Sequence, residues 1–149
     1  MKTAVDAATS KPPKSYWIIS SVALVWMLIG VIAWTADFMT DEAALSQMSE
    51  AQRQLYAARP QWLFIVYAIA IFSGLLGAIG LLLRKSWATV AFAVSLAAVI
   101  VQFSYTILMM DAVSLLGPAA ALSFPIVIVA IGAFLLWFCV SAKRAGQIN

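Results

Sequence analysis

From Trp62 to Met110 the chain reads WLFIVYAIAIFSGLLGAIGLLL, then Arg84-Lys85-Ser86, then WATVAFAVSLAAVIVQFSYTILMM. Neither apolar run, 62–83 or 87–110, contains a charged residue. At about 1.5 Å per residue, a helix of ~22 residues spans roughly 33 Å, enough to cross the hydrocarbon core of a bilayer with some tilt. Three residues between the runs leave room only for a tight turn, so the pair predicts an antiparallel transmembrane hairpin. Working outward, comparable runs at 16–38 and 121–142 add a crossing on each side. The expectation is an all-α integral membrane protein, an up-down-up-down four-helix bundle over 15–144 with a short helical extracytoplasmic loop over 40–60. A disordered tail over 1–14 precedes it and a short tail over 145–149 follows.

Composition agrees. Hydrophobic residues make up 64% of the chain and charged residues 10%, with a mean hydropathy of +0.99, whereas soluble domains carry about a quarter charged residues. The basic stretch before the first run resembles the start of a signal peptide. The apolar run behind it is longer than the ~7–15 residues of a secretory core, and Trp34-Thr35-Ala36-Asp37 makes a poor cleavage site, so the segment is expected to be retained.

Several chemistries are disfavoured by what the chain lacks. It has no His, which removes histidine proton relays, His-ligated haem and His-containing metal sites. The single Cys139, inside the fourth run, cannot form a thiolate cluster and reads as a small packing residue. No carboxylate lies near a midplane, where proton-coupled pumps need an ionisable group. The familiar four-helix multidrug exporters carry a glutamate in their first helix, and this chain has none there. The serines have no basic partner, so no enzyme, cofactor or metal is expected.

Orientation follows from the cations. Lys2, Lys11, Lys14, Arg84, Lys85, Lys143 and Arg144 fall on one side of the predicted map; only Arg53 and Arg59 fall on the other, with Asp37, Asp41, Glu42, Glu50 and Asp111. Retention of positive charge in the cytosol predicts that both termini are cytoplasmic. The net charge of +3 is then explained by topology and anionic lipid, with no call for nucleic acid. Tyr16, Trp17 and Trp87 at one boundary and Trp34, Phe38 and Trp62 at the other fit aromatic belts.

The outer loop carries helix signals. Thr40 is expected to cap a turn beginning Asp41-Glu42. Ser49-Glu50-Ala51-Gln52 matches a capping box, and Pro60 should stop that helix before Trp62. Leu45, Met48, Leu55 and Tyr56 are placed to face lipid or bundle. The link from Asp111 to Ala120 is apolar enough to dip into the interface. Pro125 is expected within the first turns of the fourth crossing, where its missing N–H costs little.

Two faces are singled out. Ser73, Gly74, Gly77 and Gly80 recur at helical spacing in the second crossing. Small residues let backbones approach in lipid, where there is little hydrophobic force between helices, so this stripe predicts a contact within the monomer, with a contact between subunits or a glycine-lined permeation path as the alternatives. In the third crossing Gln102 is the most polar group well inside the membrane. An unpartnered amide in hydrocarbon costs several kcal/mol, so Gln102 must face inward. Its neighbour Tyr105 shares roughly that face, and in the first crossing Trp26 and Asp37 share another. If the faces meet, Trp26, Asp37, Gln102 and Tyr105 line an outward-opening solute path, the aromatic plane and polar groups being the mixture that grips sugars. The alternative for Gln102 is a hydrogen bond between helices.

At Leu55-Tyr56, Pro60-Gln61-Trp62, Leu82-Leu83-Arg84-Lys85-Ser86-Trp87-Ala88, Ser95-Leu96 and Val101-Gln102-Phe103-Ser104-Tyr105, the chain resembles a group of small bacterial four-crossing membrane proteins often labelled "sugar transporter". The resemblance covers about Lys14 to Lys143 and brings no assigned functional residues. It implies a multi-pass protein of the bacterial inner membrane. The expected function is a passive carrier or pore for a small uncharged polar solute. A homo-oligomer is expected, because alternating access usually employs repeated halves. The alternative is a non-catalytic accessory subunit that packs on a membrane-protein partner through its small-residue stripe.

Overall fold

The computed structural model describes residues 10–149. It is all-helical, and four of its helices are long and apolar enough to cross a membrane. These are α1 (Lys14–Phe38), α4 (Gln61–Leu82), α5 (Trp87–Leu108) and α7 (Pro118–Arg144), with short helices α2 (Glu42–Ser46), α3 (Glu50–Ala58) and α6 (Ala112–Leu116) between them. Each long helix packs on its neighbour in sequence, α1 on α4, α4 on α5 and α5 on α7. The multi-pass bundle is as the sequence leads one to expect.

The α4–α5 hairpin is the tightest contact, and its small residues explain why. A β-carbon at Gly77 would stand 2.8 Å from the Phe92 ring, and one at Gly80 would stand 2.9 Å from the Ala88 methyl. At Gly74 it would meet Met27 Sδ of α1 at 2.7 Å and Ser95 Oγ of α5 at 3.0 Å. The three glycines therefore serve contacts within the monomer. Ser73 stands apart from them, donating its hydroxyl to Ile69 O of its own helix at 2.5 Å. Two hydrogen bonds add to this packing. Ser95 Oγ donates to Ala70 O at 2.6 Å, and Tyr16 Oη of α1 donates to Leu81 O at 2.5 Å. Such interhelical bonds contribute about 0.6 kcal/mol on average in membranes. Tyr16 is thus a core residue, 1% exposed, and not part of the interfacial belt.

One face gathers both described ends of the chain and the α4–α5 turn. Helix α4 closes with Arg84 N–H to Leu81 O and Lys85 N–H to Gly80 O, the Schellman pattern, with Arg84 at φ 58° where glycine is usual. A left-handed non-glycine residue costs ~1–2 kcal/mol. What the arginine adds is a side chain: Nε donates to Gln147 O at 2.8 Å and Nη2 to Ser10 O at 3.1 Å. Asn149 N–H donates to Arg84 O, and Ser86 N–H donates to Asn149 O. Ile148 is buried under this strap. Most of the expected tail over 1–14 lies outside the described residues; from Ser10 the chain is held, its hydroxyl donating to Ala145 O at 2.7 Å.

On the opposite face, which we call the loop face, the capping box forms as expected, Gln52 N–H to Ser49 Oγ and Ser49 N–H to Gln52 Oε1. The preceding cap is Asp41, which accepts from Ala44 N–H at 2.9 Å, and not Thr40, whose hydroxyl turns back to Ala36 O. A carboxylate is the stronger acceptor for a helix N-terminus. The fourth crossing begins at Pro118 instead of 121, because Gly117 at φ 83° ends α6 and proline suits the first helical position. Pro125 accordingly sits beyond the first turn, and its missing N–H deprives Ala121 O of its intrahelical donor.

Two substitutions test this packing. Gly77→Val overpacks the α4–α5 contact and lowers stability by roughly 1–3 kcal/mol, whereas Leu76→Val, on the exposed side of α4, does not; thermal unfolding in detergent reads the difference. Arg84→Ala releases the strap, and amide exchange at Asn149 rises toward that of an open chain while exchange in α4 and α5 is retained.

Candidate functional site

The halves of the bundle differ. Toward the termini face, Tyr16, Met27, Leu81, Phe92, Leu135 and Cys139 of all four long helices form one core. Toward the loop face the helices part around a chamber of about 420 Å³. Trp26 and Gly30 of α1, Tyr67 and Ile71 of α4, Gln102 and Phe103 of α5 and Phe124 and Ile128 of α7 all line it. Its size falls in the ~300–1,000 Å³ range of small-molecule sites.

The rim is built around an ion pair. Asp37, one residue from the end of α1, accepts from Arg59 Nη1 at 2.8 Å, and both side chains are about four-fifths buried, 20% and 23% exposed. Arg59 lies where α3 passes into α4, held there by Pro60, the N-cap of α4. Its guanidinium stacks 4.8 Å from the Tyr56 ring centroid and 5.3 Å from that of Phe64, a placement that attracts the cation to both ring faces. The pair ties the end of α1 to the start of α4 and presents a locally neutral but strongly polar edge.

Deeper in, Gln102 and Tyr67 supply an amide and a phenol. Among the described residues neither side chain has a hydrogen-bond partner, so the helix-to-helix bond that was the alternative for Gln102 is not seen there. The α4–α5 bond is made about two turns below it by Ser95. The remaining walls are apolar. Above the chamber, under α3, lies a second hollow of about 310 Å³, lined by Met48, Gln52, Leu55, Tyr56 and Thr106 and sharing Arg59, Gln102 and Phe103 with the chamber. It forms a vestibule.

Of the residues singled out from sequence, Trp26, Asp37 and Gln102 line this one chamber. Tyr105 does not; its ring packs edge-on against Trp62, 4.8 Å between centroids. At that point α5 turns Tyr105 toward α4 and the boundary, while Gln102 faces the interior. Arg59, Tyr67 and Phe103 escaped the sequence reading. For Arg59 a signal existed: it is a cation immediately before a crossing, on the side where a carboxylate, Asp37, ends the previous one. For Tyr67 and Phe103, apolar-run residues among many, no signal distinguished them.

Breaking the rim pair has a defined cost. Asp37→Asn and Arg59→Gln each destabilise the bundle, and a double-mutant cycle gives a coupling of roughly 1.5–3 kcal/mol, the range of hydrogen bonds to charged groups; unfolding in detergent measures it. No family model, curated protein or solved structure matches the chain, and the residues themselves carry the functional argument.

Proposed function

We propose that the chain is a membrane-embedded carrier that takes a small uncharged molecule from the loop face into the chamber between its four crossings. The observation that carries this is the pair of polar side chains, Gln102 and Tyr67, that have no hydrogen-bond partner among the described residues and line a mostly apolar cavity beneath the Asp37–Arg59 rim. Inside a membrane such groups need a partner, and a bound solute's donors and acceptors supply it. The rim favours a neutral head, because a net charge would have to compete with an ion pair already made. The apolar walls favour a molecule with one polar end and an apolar body over one with hydroxyls on every side, whose buried polar groups would be left unsatisfied.

The resemblance to small bacterial proteins labelled "sugar transporter" adds to the transport side of this reading. A glycoside with an apolar aglycone meets both the label and the walls. The same resemblance favours a bacterial inner membrane, and the distribution of Lys and Arg favours both termini in the cytosol and the vestibule outside. No step of this reading is catalytic, and the chamber is built within one chain, so an oligomer is not required to complete it. An accessory subunit, the alternative reading, would dock by a surface other than the glycine stripe, since Gly74, Gly77 and Gly80 meet side chains of α1 and α5 in the same chain.

The test is saturable binding in proteoliposomes across a panel of labelled free sugars, alkyl glycosides and other neutral amphiphiles. At least one amphiphile binds saturably, and Gln102→Leu weakens it roughly ten-fold, the loss of about 1.4 kcal/mol for one unsatisfied partner. Absence of saturable binding throughout the panel refutes the carrier; equal binding by the variant removes Gln102 from the site.

A further inference from the structure

Helices α1 and α7 are the one neighbouring pair in the ring without a close backbone approach. Near the termini face their side chains meet, Tyr16 against Phe138 at 5.7 Å between centroids. Between that contact and the bilayer centre a groove of about 290 Å³ runs along the seam, lined by Ile18, Val22 and Ala23 of α1 and Ile131, Phe134 and Leu135 of α7. No polar side chain lines it. At its upper end stands Trp26, which also lines the chamber. One indole therefore separates a polar-rimmed chamber from an apolar slot open to lipid.

From this continuity we infer that the occupant is a long-chain lipid with an uncharged hydrogen-bonding head, which lies with its head among Gln102, Tyr67 and the Asp37–Arg59 rim and its chain along the α1–α7 seam. The inference rests on the chamber reading above for the head, and in place of entry from the loop face it gives a long-chain occupant and a lateral route: Trp26 swings aside and the chain slides between lipid and chamber. Polar and apolar linings are ordered along one axis. From Asp37 down α1 to Ile18 is about 28 Å at ~1.5 Å per residue, close to the thickness of the hydrocarbon core. Bulk lipid of the leaflet nearest the groove would enter it with its head at the termini face. The occupant inferred here lies the other way round, because of the two cavities only the chamber, at the loop end, is lined by polar side chains that a head can bond. A chain leaving lipid for this groove exchanges one apolar surrounding for another, so the selective interaction is that of the head.

Two photoreactive long-chain alcohols in phosphatidylcholine vesicles containing the full chain test this, one with a diazirine beside the hydroxyl and one with it at the chain end. The head-end probe labels Tyr67 and Phe103, the tail-end probe labels the seam at Ile131 and Phe134, and excess unlabelled alcohol displaces both. Val22→Trp, on an exposed position of the groove wall, fills the slot and lowers displaceable tail-end labelling roughly ten-fold; Trp26→Ala, which joins the two cavities, raises it. Tail-end labelling that is not displaceable, or that neither variant changes, is ordinary lipid contact and overturns the inference. Displaceable head-end labelling without the tail-end pattern overturns it while the chamber reading stands. If neither probe is displaceable, both fall.

Discussion

The close approach of α4 to α5 governs the architecture. Where lipid surrounds every helix, burial of apolar surface does little to bring helices together, and association depends on how nearly backbones can touch. Gly74, Gly77 and Gly80 admit Met27, Phe92 and Ala88 at distances a β-carbon would forbid. With α4 gripped on both flanks at its lower half, the interior of the bundle on the termini side is packed. The hollows described above lie on the loop side and along the α1–α7 seam. The position of the chamber is thus a consequence of where the glycines stop.

That asymmetry bears on mechanism. A pore through the single chain would need continuity from face to face, and there the core of Tyr16, Leu81, Phe92 and Cys139 lies across it. The vestibule, chamber and seam groove instead follow one another, sharing Arg59, Gln102 and Phe103 at the first junction and Trp26 at the second. Polarity falls along the series, from the charged rim to a wall of aliphatic and aromatic side chains. An arrangement graded in this way matches the two ends of the amphiphile proposed above.

Much of this was legible in the chain. The crossings, the hairpin at Arg84-Lys85-Ser86, the capping box at Ser49 and the glycine stripe all depend on local composition and spacing, which sequence displays directly. Trp26, Asp37 and Gln102 were legible as inward polar or aromatic groups because lipid tolerates them poorly elsewhere. Tyr105 was misplaced because three residues along a helix shift a side chain by about 60° from the face of its neighbour, and only the packing of Trp62 decides between them. Asp41 was passed over for Thr40 because both are good caps and adjacent; the choice is made by where the chain leaves α1. Tyr16 looked like a belt residue because sequence gives depth but not direction. The strap over Arg84 was invisible, since it joins segments 63 and 74 positions apart.

Through that strap the lower end of α7 is latched to the α4–α5 turn, while its upper end, weakened at Pro125, has no such tether to α1. Any parting of the two helices therefore pivots at the latch and widens with distance from it, like a pair of shears riveted at the base. The blades separate most beside Phe124 and Ile128, at the level where the chamber lies.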